Sequence, residues 1–207
     1  MKLLLDVGNT AVTWTLAEAA RTGNIGRFVH RDGDFNAQAA LAWSAIPVPQ
    51  AVIVANVAGD DMATDITRFA TQTWQLEPVF VRVSDTACGV TNAYRVPNEL
   101  GIDRWAAMIG AFHTHDGALC VVDCGTAITI DLLAGSGRHR GGLILPGIGL
   151  LGKTLQINTA GIQLQDDASS ALLTGQGTRD GVIGGASYLA AAAIDRIVTD
   201  MDEVAGE

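Results

Sequence analysis

Three stretches of the chain carry side chains whose types and spacing suit chemistry on a phosphorylated ligand. Asp6-x-Gly8-Asn9-Thr10 closes an apolar run at Leu3–Val7, and Asp123-x-Gly125-Thr126 closes another at Ala118–Asp123. Glycine has no Cβ, so backbone N–H groups around Gly8 and Gly125 can approach an anion and form a concave nest, to which Asn9, Thr10 and Thr126 add side-chain donors. Asp6 and Asp123 would repel phosphate directly, so their place beside the turns calls for a cation or a water shell between carboxylate and anion. A single D-x-G at a strand end is also an ordinary hairpin turn. Two matching copies point instead to a duplication with one nucleotide clamped by both. The third stretch, Gly101-Ile102-Asp103-Arg104, opens a helical pattern. An Asp followed by an Arg there can aim a carboxylate at a substrate hydroxyl while the guanidinium holds a substrate anion. The same pair also fits a solvated helix face with a surface ion pair.

The elements that must position these residues follow from periodicity. Leu3–Val7, Ala11–Glu18 and Ile25–Arg31 read as strands, with Arg21–Asn24 as a turn, and Phe35–Ala45 reads as a helix. Ala51–Val57 suits a strand buried on both faces, Asp60–Trp74 a helix with Asp60 or Asp61 as N-cap, and Pro78–Val83 a further strand. Ser84–Asn98 has no period and reads as a linker, and Glu99–His113 as a helix joining two halves, divided at 1–98 and 99–207. The second half repeats the start of the first: strands at Ala118–Asp123, Thr126–Leu133 and Arg138–Leu145, then a helix at Ile148–Ile157. From Asn158 onward the repeat breaks, leaving a polar loop around Gln163–Ser170 and an Ala-rich helix at Asp180–Met201. The second lobe is therefore expected to be incomplete at its C-terminal end, either because the chain stops short or because another surface covers a reduced sheet.

Composition narrows the classes. With 207 residues, 48% hydrophobic and 17% charged, the chain can bury one large core or two small ones. A formal charge of −9 with no Lys/Arg cluster argues against nucleic acid or an anionic membrane as partner. The apolar start Met1–Leu5 ends too early for a signal peptide, and no later segment is read as membrane-spanning, which gives a cytoplasmic expectation. Cys88, Cys120 and Cys124 are odd in number and lack metal spacing, so they read as buried reduced thiols.

Other motifs favour plain readings. Gly147–Thr154, GIGLLGKT, satisfies the P-loop pattern letter for letter, yet no later strand ending in Asp exists to hold Mg²⁺, and Leu150 and Leu151 are bulky for a phosphate cradle. It reads as a helix start. His113-x-His115-Asp116 reads as a solvated helix cap rather than a metal site, and Trp14, Trp43, Trp74 and Trp105 as core anchors. Ala190–Ala193 reads as a close-packing helix face, at a dimer seam.

Taken in order, Asp6-x-Gly-Asn-Thr, Gly101-x-Asp-Arg-Trp, Asp123-x-Gly-Thr-Ala-x-Thr-x-Asp131 and Gly141-Gly-x-Ile-x-Pro-Gly147 resemble the type III pantothenate kinases, the Bvg accessory factor family. The resemblance runs from residue 3 to about 190. It implies an α/β fold of the actin-like ATPase (ribonuclease H-like) superfamily, with two βββαβα lobes, and ATP-dependent phosphorylation of pantothenate to 4′-phosphopantothenate. It further implies that Asp6 anchors Mg²⁺ through water while Gly8, Asn9, Thr10, Gly125 and Thr126 contact the ATP phosphates. Thr13 stands at the phosphate end where many relatives carry Lys. Asp103 is the implied base on the pantothenate hydroxyl, and Tyr94, Gly101, Ile102 and Arg104 line the pantothenate pocket, with Thr178 as a further substrate contact. Asp123 would bind K⁺ or NH₄⁺, and relatives are homodimers. Because an aspartate's ordinary pKa of about 3.9 makes it a weak base, its role would be mainly to orient the hydroxyl. The family continues past its long helix into a strand and a turn beside the adenine, so ATP here is expected to be held mainly by its phosphates. Two other readings stay open at this point: a non-catalytic accessory relative that keeps the pocket, and a different small-molecule kinase of the same superfamily.

Overall fold

Alternation of apolar and polar residues at the N-terminus gives β1 (Lys2–Val7), which buries Leu3, Leu5 and Val7 and turns Leu4 and Asp6 the other way. The computed structural model describes residues 1–18, 21–31, 33–162 and 174–204. After β1 come β2 (Ala11–Glu18), β3 (Arg21–Thr22), β4 (Gly26–Val29), α1 (Phe35–Ala42), β5 (Ala51–Asn56), α2 (Asp60–Trp74) and β6 (Val79–Phe80). Next are β7 (Thr86–Ala87), β8 (Val90–Thr91), a 3₁₀ turn at Pro97–Glu99 and α3 (Ile102–Thr114). The remainder is β9 (Leu119–Cys124), β10 (Ala127–Leu133), β11 (His139–Pro146), α4 (Ile148–Asn158) and α5 (Thr178–Val204). The chain divides into two compact units, residues 1–85 with 94–107, and residues 86–93 with 108–207.

In the first unit a mixed sheet has the order β3-β2-β1-β5-β6, with β4 also on β2. The antiparallel β1–β2 pair puts Asp6 opposite Thr13, and the parallel β1–β5 pair sets Leu3 beside Val52 and Leu5 beside Val54. That face packs on Phe35, Ala39 and Trp43 of the α1 region and on Ile66, Phe69 and Ala70 of α2. Trp43 sits at the centre of an aromatic cluster, its ring centroid 5.3 Å from Phe69, 5.6 Å from Phe28 and 5.7 Å from Trp74. Such pairs each add about 0.5–1.5 kcal/mol beyond burial. The strand at β5 was expected to be buried on both faces. Only Val52 and Val54 are, because Ile53 and Ala55 face a cavity instead.

The second unit carries a three-stranded antiparallel sheet, β11-β10-β9. Ile128 and Ile130 of β10 are buried under Ala190 of α5, with Ile194 and Ile197 alongside. A register shift between β10 and β11 places His139 opposite Leu133 and so on the face shared with Asp131. The β7–β8 hairpin is attached to the β10–β11 turn through Thr91, whose N–H donates to the Gly137 carbonyl at 2.9 Å.

Several sequence expectations need correction. The N-cap of α2 is Gly59 rather than Asp60 or Asp61; the Asn56 side chain shapes that entry by accepting from Ala58 N–H and donating to the Gly59 carbonyl. Arg21–Asn24 is not simply a turn, since Arg21 and Thr22 pair with β2. Pro78–Val83 shrinks to Val79–Phe80 at the sheet edge. Inside the supposed linker lies the β7–β8 hairpin, turning at Cys88 (φ 48°) and Gly89 (φ 80°), the positive-φ pair that a tight two-residue hairpin turn requires. The P-loop-like letters begin at the N-cap Gly147 and run into α4, confirming a helix start in place of a phosphate loop. The polar segment around Gln163–Ser170 lies outside the described residues.

The cysteines are not buried as expected: Cys88 and Cys124 are exposed and Cys120 is half-buried. Burial and, second, the neighbouring Asp131 charge push the Cys120 thiol up from its ordinary value. Less thiolate then forms at neutral pH, so Cys120 should be the slowest of the three to react with a thiol reagent and should gain most as pH rises. Mass spectrometry of partially alkylated protein checks this; Cys120 reacting as fast as Cys88 at neutral pH would refute it.

Thr178–Asp200 of α5 is long and apolar enough, by length and composition, to cross a membrane, at a hydropathy of 1.3. Within it Ala186 and Ala190 are buried, Ala190 against Ile128 and Ile130, while Tyr188 and Leu189 are exposed.

Candidate functional site

The first unit carries two groups of the expected residues. On the β1–β2 hairpin, Asp6 is exposed at the strand end, and the Gly8–Thr10 turn is closed by a hydrogen bond from Gly8 N–H to the Ala11 carbonyl at 3.1 Å. Asn9 is exposed, and Gly8, Thr10 and Thr13 are half-buried. A cavity of about 370 Å³ is lined by Asp6, Thr13, Ile53 and Ala55 from the sheet and, from α3, by Ala106.

At that helix start Leu100 is buried and Asp103 lies half-buried, its Oδ1 accepting from the Arg104 N–H at 2.8 Å. This satisfies one of the orphan amides of the first turn and fixes the carboxylate near the helix N-terminus, where negative charge is favoured. Arg104 is 6% exposed. Its Nη1 donates to the Tyr94 hydroxyl at 2.9 Å, and its guanidinium carbon lies 5.6 Å from the Tyr94 ring centroid. The solvated-face alternative therefore fails for Arg104: the cation is held inside, against an aromatic ring that supports it. Ile102 is buried, next to these groups in the chain.

Gly101 has a steric role. A Cβ there would collide with Asp103 Oδ1. Since the obstacle is the end of a flexible side chain, Gly101→Ala should leave the melting temperature nearly unchanged while displacing the carboxylate, lowering kcat by about tenfold, of the size expected for a misplaced reacting group. An unchanged kcat would show that the carboxylate position does not matter.

In the second unit, Asp123, Gly125 and Thr126 are all exposed at the β9–β10 turn, which Gly125 closes by donating to the Ala127 carbonyl at 2.9 Å. Gly147 packs directly on this turn: its N–H donates to the Thr126 carbonyl at 3.0 Å, and a Cβ would collide with the Gly125 and Thr126 carbonyls. That contact explains the Pro146-Gly147 signal. Thr178 is exposed at the first residue of α5 and lines an apolar cleft of about 410 Å³ with Leu151 and Leu155 of α4.

Two polar groups escaped the sequence reading. His139 and Asp131 are each 1% exposed and are joined by His139 Nε2 donating to Asp131 Oδ1 at 3.0 Å. His139 Nδ1 also accepts from the Ala93 N–H at 3.4 Å. A clue was present, in that an Asp and a His flank a Gly-rich turn between adjacent apolar strands. The other is His30, whose ring reaches the Gly8 carbonyl; a lone His after a strand gives no such signal. His113, expected as a solvated cap, donates from Nε2 to the Cys88 carbonyl at 3.0 Å and so steadies the β7–β8 turn.

A family model described as type III pantothenate kinase matches residues 2–200. The type III pantothenate kinase of Nitrosococcus oceani is 35% identical over 213 residues, spanning 100% of this chain and 80% of its own length. That of Dechloromonas aromatica is 36% identical over 207 residues, spanning 99% and 84% respectively. That of Burkholderia lata is 40% identical over 178 residues, spanning 84% of this chain and 65% of its own length. Among solved structures, a conserved Baf family protein from Campylobacter jejuni superposes with a TM-score of 0.56 at 23% identity, over 94% of this chain and 78% of that one. At that identity the likeness speaks for the fold.

Proposed function

The chain belongs to the type III pantothenate kinase family, and on that premise we propose that it transfers the γ-phosphoryl group of ATP to the hydroxyl of pantothenate, giving 4′-phosphopantothenate and ADP, the entry to coenzyme A synthesis. The observation that carries the reading is the start of α3, where a half-buried Asp103 stands beside the buried Arg104–Tyr94 pair. Asp103 orients the pantothenate hydroxyl in line with the γ-phosphorus, and Arg104 and Tyr94 hold the acceptor's polar end beside Gly101 and Ile102. The Gly8–Thr10 and Gly125–Thr126 turns, with Thr13, meet the phosphates through N–H and hydroxyl donors.

Mg²⁺ keeps several waters and is usually bound by one or two carboxylates plus substrate phosphates, so the single exposed Asp6 suits it. Asp123, exposed and followed by Thr126, offers the hard oxygen donors that K⁺ or NH₄⁺ takes. When bound, these cations supply charge neutralisation at the transferring group.

In this reading the fold is the duplicated actin-like one, lobes 1–98 and 99–207, supported by two hairpins that each end in Asp-x-Gly. The active form is a cytoplasmic homodimer, for which Leu150, Leu155, Tyr188 and Leu189 offer exposed apolar surface on α4 and α5. The charge of −9 disfavours polyanionic partners. A coupled ADP-release assay with pantothenate, Mg²⁺ and millimolar ATP, run in K⁺ and in Na⁺, tests the proposal. Pantothenate-dependent turnover in K⁺ that falls away in Na⁺ is expected. No turnover, with pantothenate still bound in calorimetry, would replace it with an accessory role.

A further inference from the structure

The geometry points to His30 as a positioning residue that sets the anion-binding side of the Gly8–Thr10 turn. The inference rests on the reading of that turn as a phosphate contact and deepens it. His30 follows β4 and is 9% exposed. Its Nε2 lies 2.7 Å from the Gly8 carbonyl oxygen. A carbonyl only accepts, so Nε2 carries the proton and donates. The His30 backbone N–H donates to the Thr10 carbonyl at 3.0 Å, and the Arg31 N–H reaches the same oxygen at 3.3 Å. Two carbonyls of a three-residue turn are thus taken up by one residue and its neighbour.

The consequence follows from peptide planarity. The described chain has no cis peptide bonds, so in the Gly8–Asn9 unit the carbonyl and the Asn9 N–H point in opposite directions. Drawing the Gly8 carbonyl towards the His30 ring turns the Asn9 N–H to the opposite side of the turn. Asn9 itself is exposed. Left without the ring, that peptide can rotate and present its carbonyl, whose negative end repels phosphate, and an amide oriented before the ligand arrives costs nothing to reorient when it binds. His30 touches no reacting atom in this account. It acts through the turn.

His30→Gln and His30→Met test the point, because the two side chains match in length and only Gln can donate to the Gly8 carbonyl. His30→Met should raise KM for ATP, and the calorimetric Kd for Mg·ATP, by about tenfold, the effect of one lost hydrogen bond. His30→Gln should return both to within about threefold of wild type, and KM for pantothenate should move less than twofold in either. Equal ATP constants for the Met and Gln variants would overturn the inference, as would parallel losses for ATP and pantothenate. Should His30→Met fail to fold, residue-resolved amide exchange on the wild-type chain decides: Mg·ATP should slow exchange at Asn9 by at least tenfold, and no change there sinks the proposal. Wild-type protein that binds no Mg·ATP defeats the phosphate reading and this inference with it, whereas normal wild-type binding with a silent His30→Met defeats this inference alone.

Discussion

Asp103→Asn is expected to lower kcat by about 10²-fold or more while leaving ATP affinity and melting temperature close to wild type. The reason lies in what the substitution keeps. Asparagine retains an Oδ1 that can accept the Arg104 N–H, the contact that Asp103 makes at 2.8 Å, so the first turn of α3 stays capped. It loses the negative charge and the ability to accept the hydroxyl proton. With Oδ1 engaged by Arg104 and an NH₂ in place of the second oxygen, nothing is left to accept the hydroxyl's hydrogen, so its in-line orientation is lost while the cap stays, which separates chemistry from folding. Steady-state kinetics with both substrates varied, together with a thermal melt, makes the measurement. A kcat within threefold of wild type would show that this carboxylate is not the one facing the hydroxyl.

His139→Ala should be strongly destabilising, by about 3 kcal/mol or more, because it leaves the buried Asp131 carboxylate without the imidazole N–H that donates to it. Side-chain exposures of 0% and 2% leave water little access to the Asp131 carboxylate once the ring is gone. Against a typical total of about 5–15 kcal/mol, such a loss should be visible as a large fall in the denaturation midpoint. The variant also removes the acceptor for the Ala93 N–H. The double variant Asp131→Asn/His139→Ala should be less destabilised than the two single effects summed, since the stranded charge disappears with it. A loss below 1 kcal/mol for His139→Ala would mean that the pair is not the anchor it is taken to be.

Much of this architecture was legible because it rests on period. Asp60–Trp74 has clean helical spacing, so its span was readable although its cap, Gly59, was not. The two Asp-x-Gly hairpins were readable because a Gly turn between alternating runs has few other solutions. The β7–β8 hairpin was not, since strands of two residues have no period and Cys88-Gly89 is an unusual way to supply two positive φ angles. Burial of Cys88 and Cys124 was misjudged because cysteine is usually an interior residue, whereas these two occupy turn and strand-end positions. Asp103 and Arg104 were singled out as candidates by type and spacing. That Arg104 is interior depends on Tyr94, ten residues earlier, and no local pattern announces that hydrogen bond. The Asp131–His139 pair hid in an apparently ordinary antiparallel strand pair, because the register shift that puts both on one face has no sequence signature of its own.

The aromatic cluster around Trp43 has a spectroscopic corollary. The chain has 4 tryptophans, Trp14, Trp43, Trp74 and Trp105, and every one falls within residues 1–85 or 94–107. Intrinsic emission on excitation near the red edge therefore reports the first unit alone. Far-ultraviolet dichroism draws much of its helical signal from the 27 residues of α5, in the other unit. Following one denaturation by both optical signals would show whether the halves melt as one cooperative body, and His139→Ala, which strikes only the half without a fluorophore of this kind, should pull the dichroism curve to lower denaturant ahead of the emission curve if they do not.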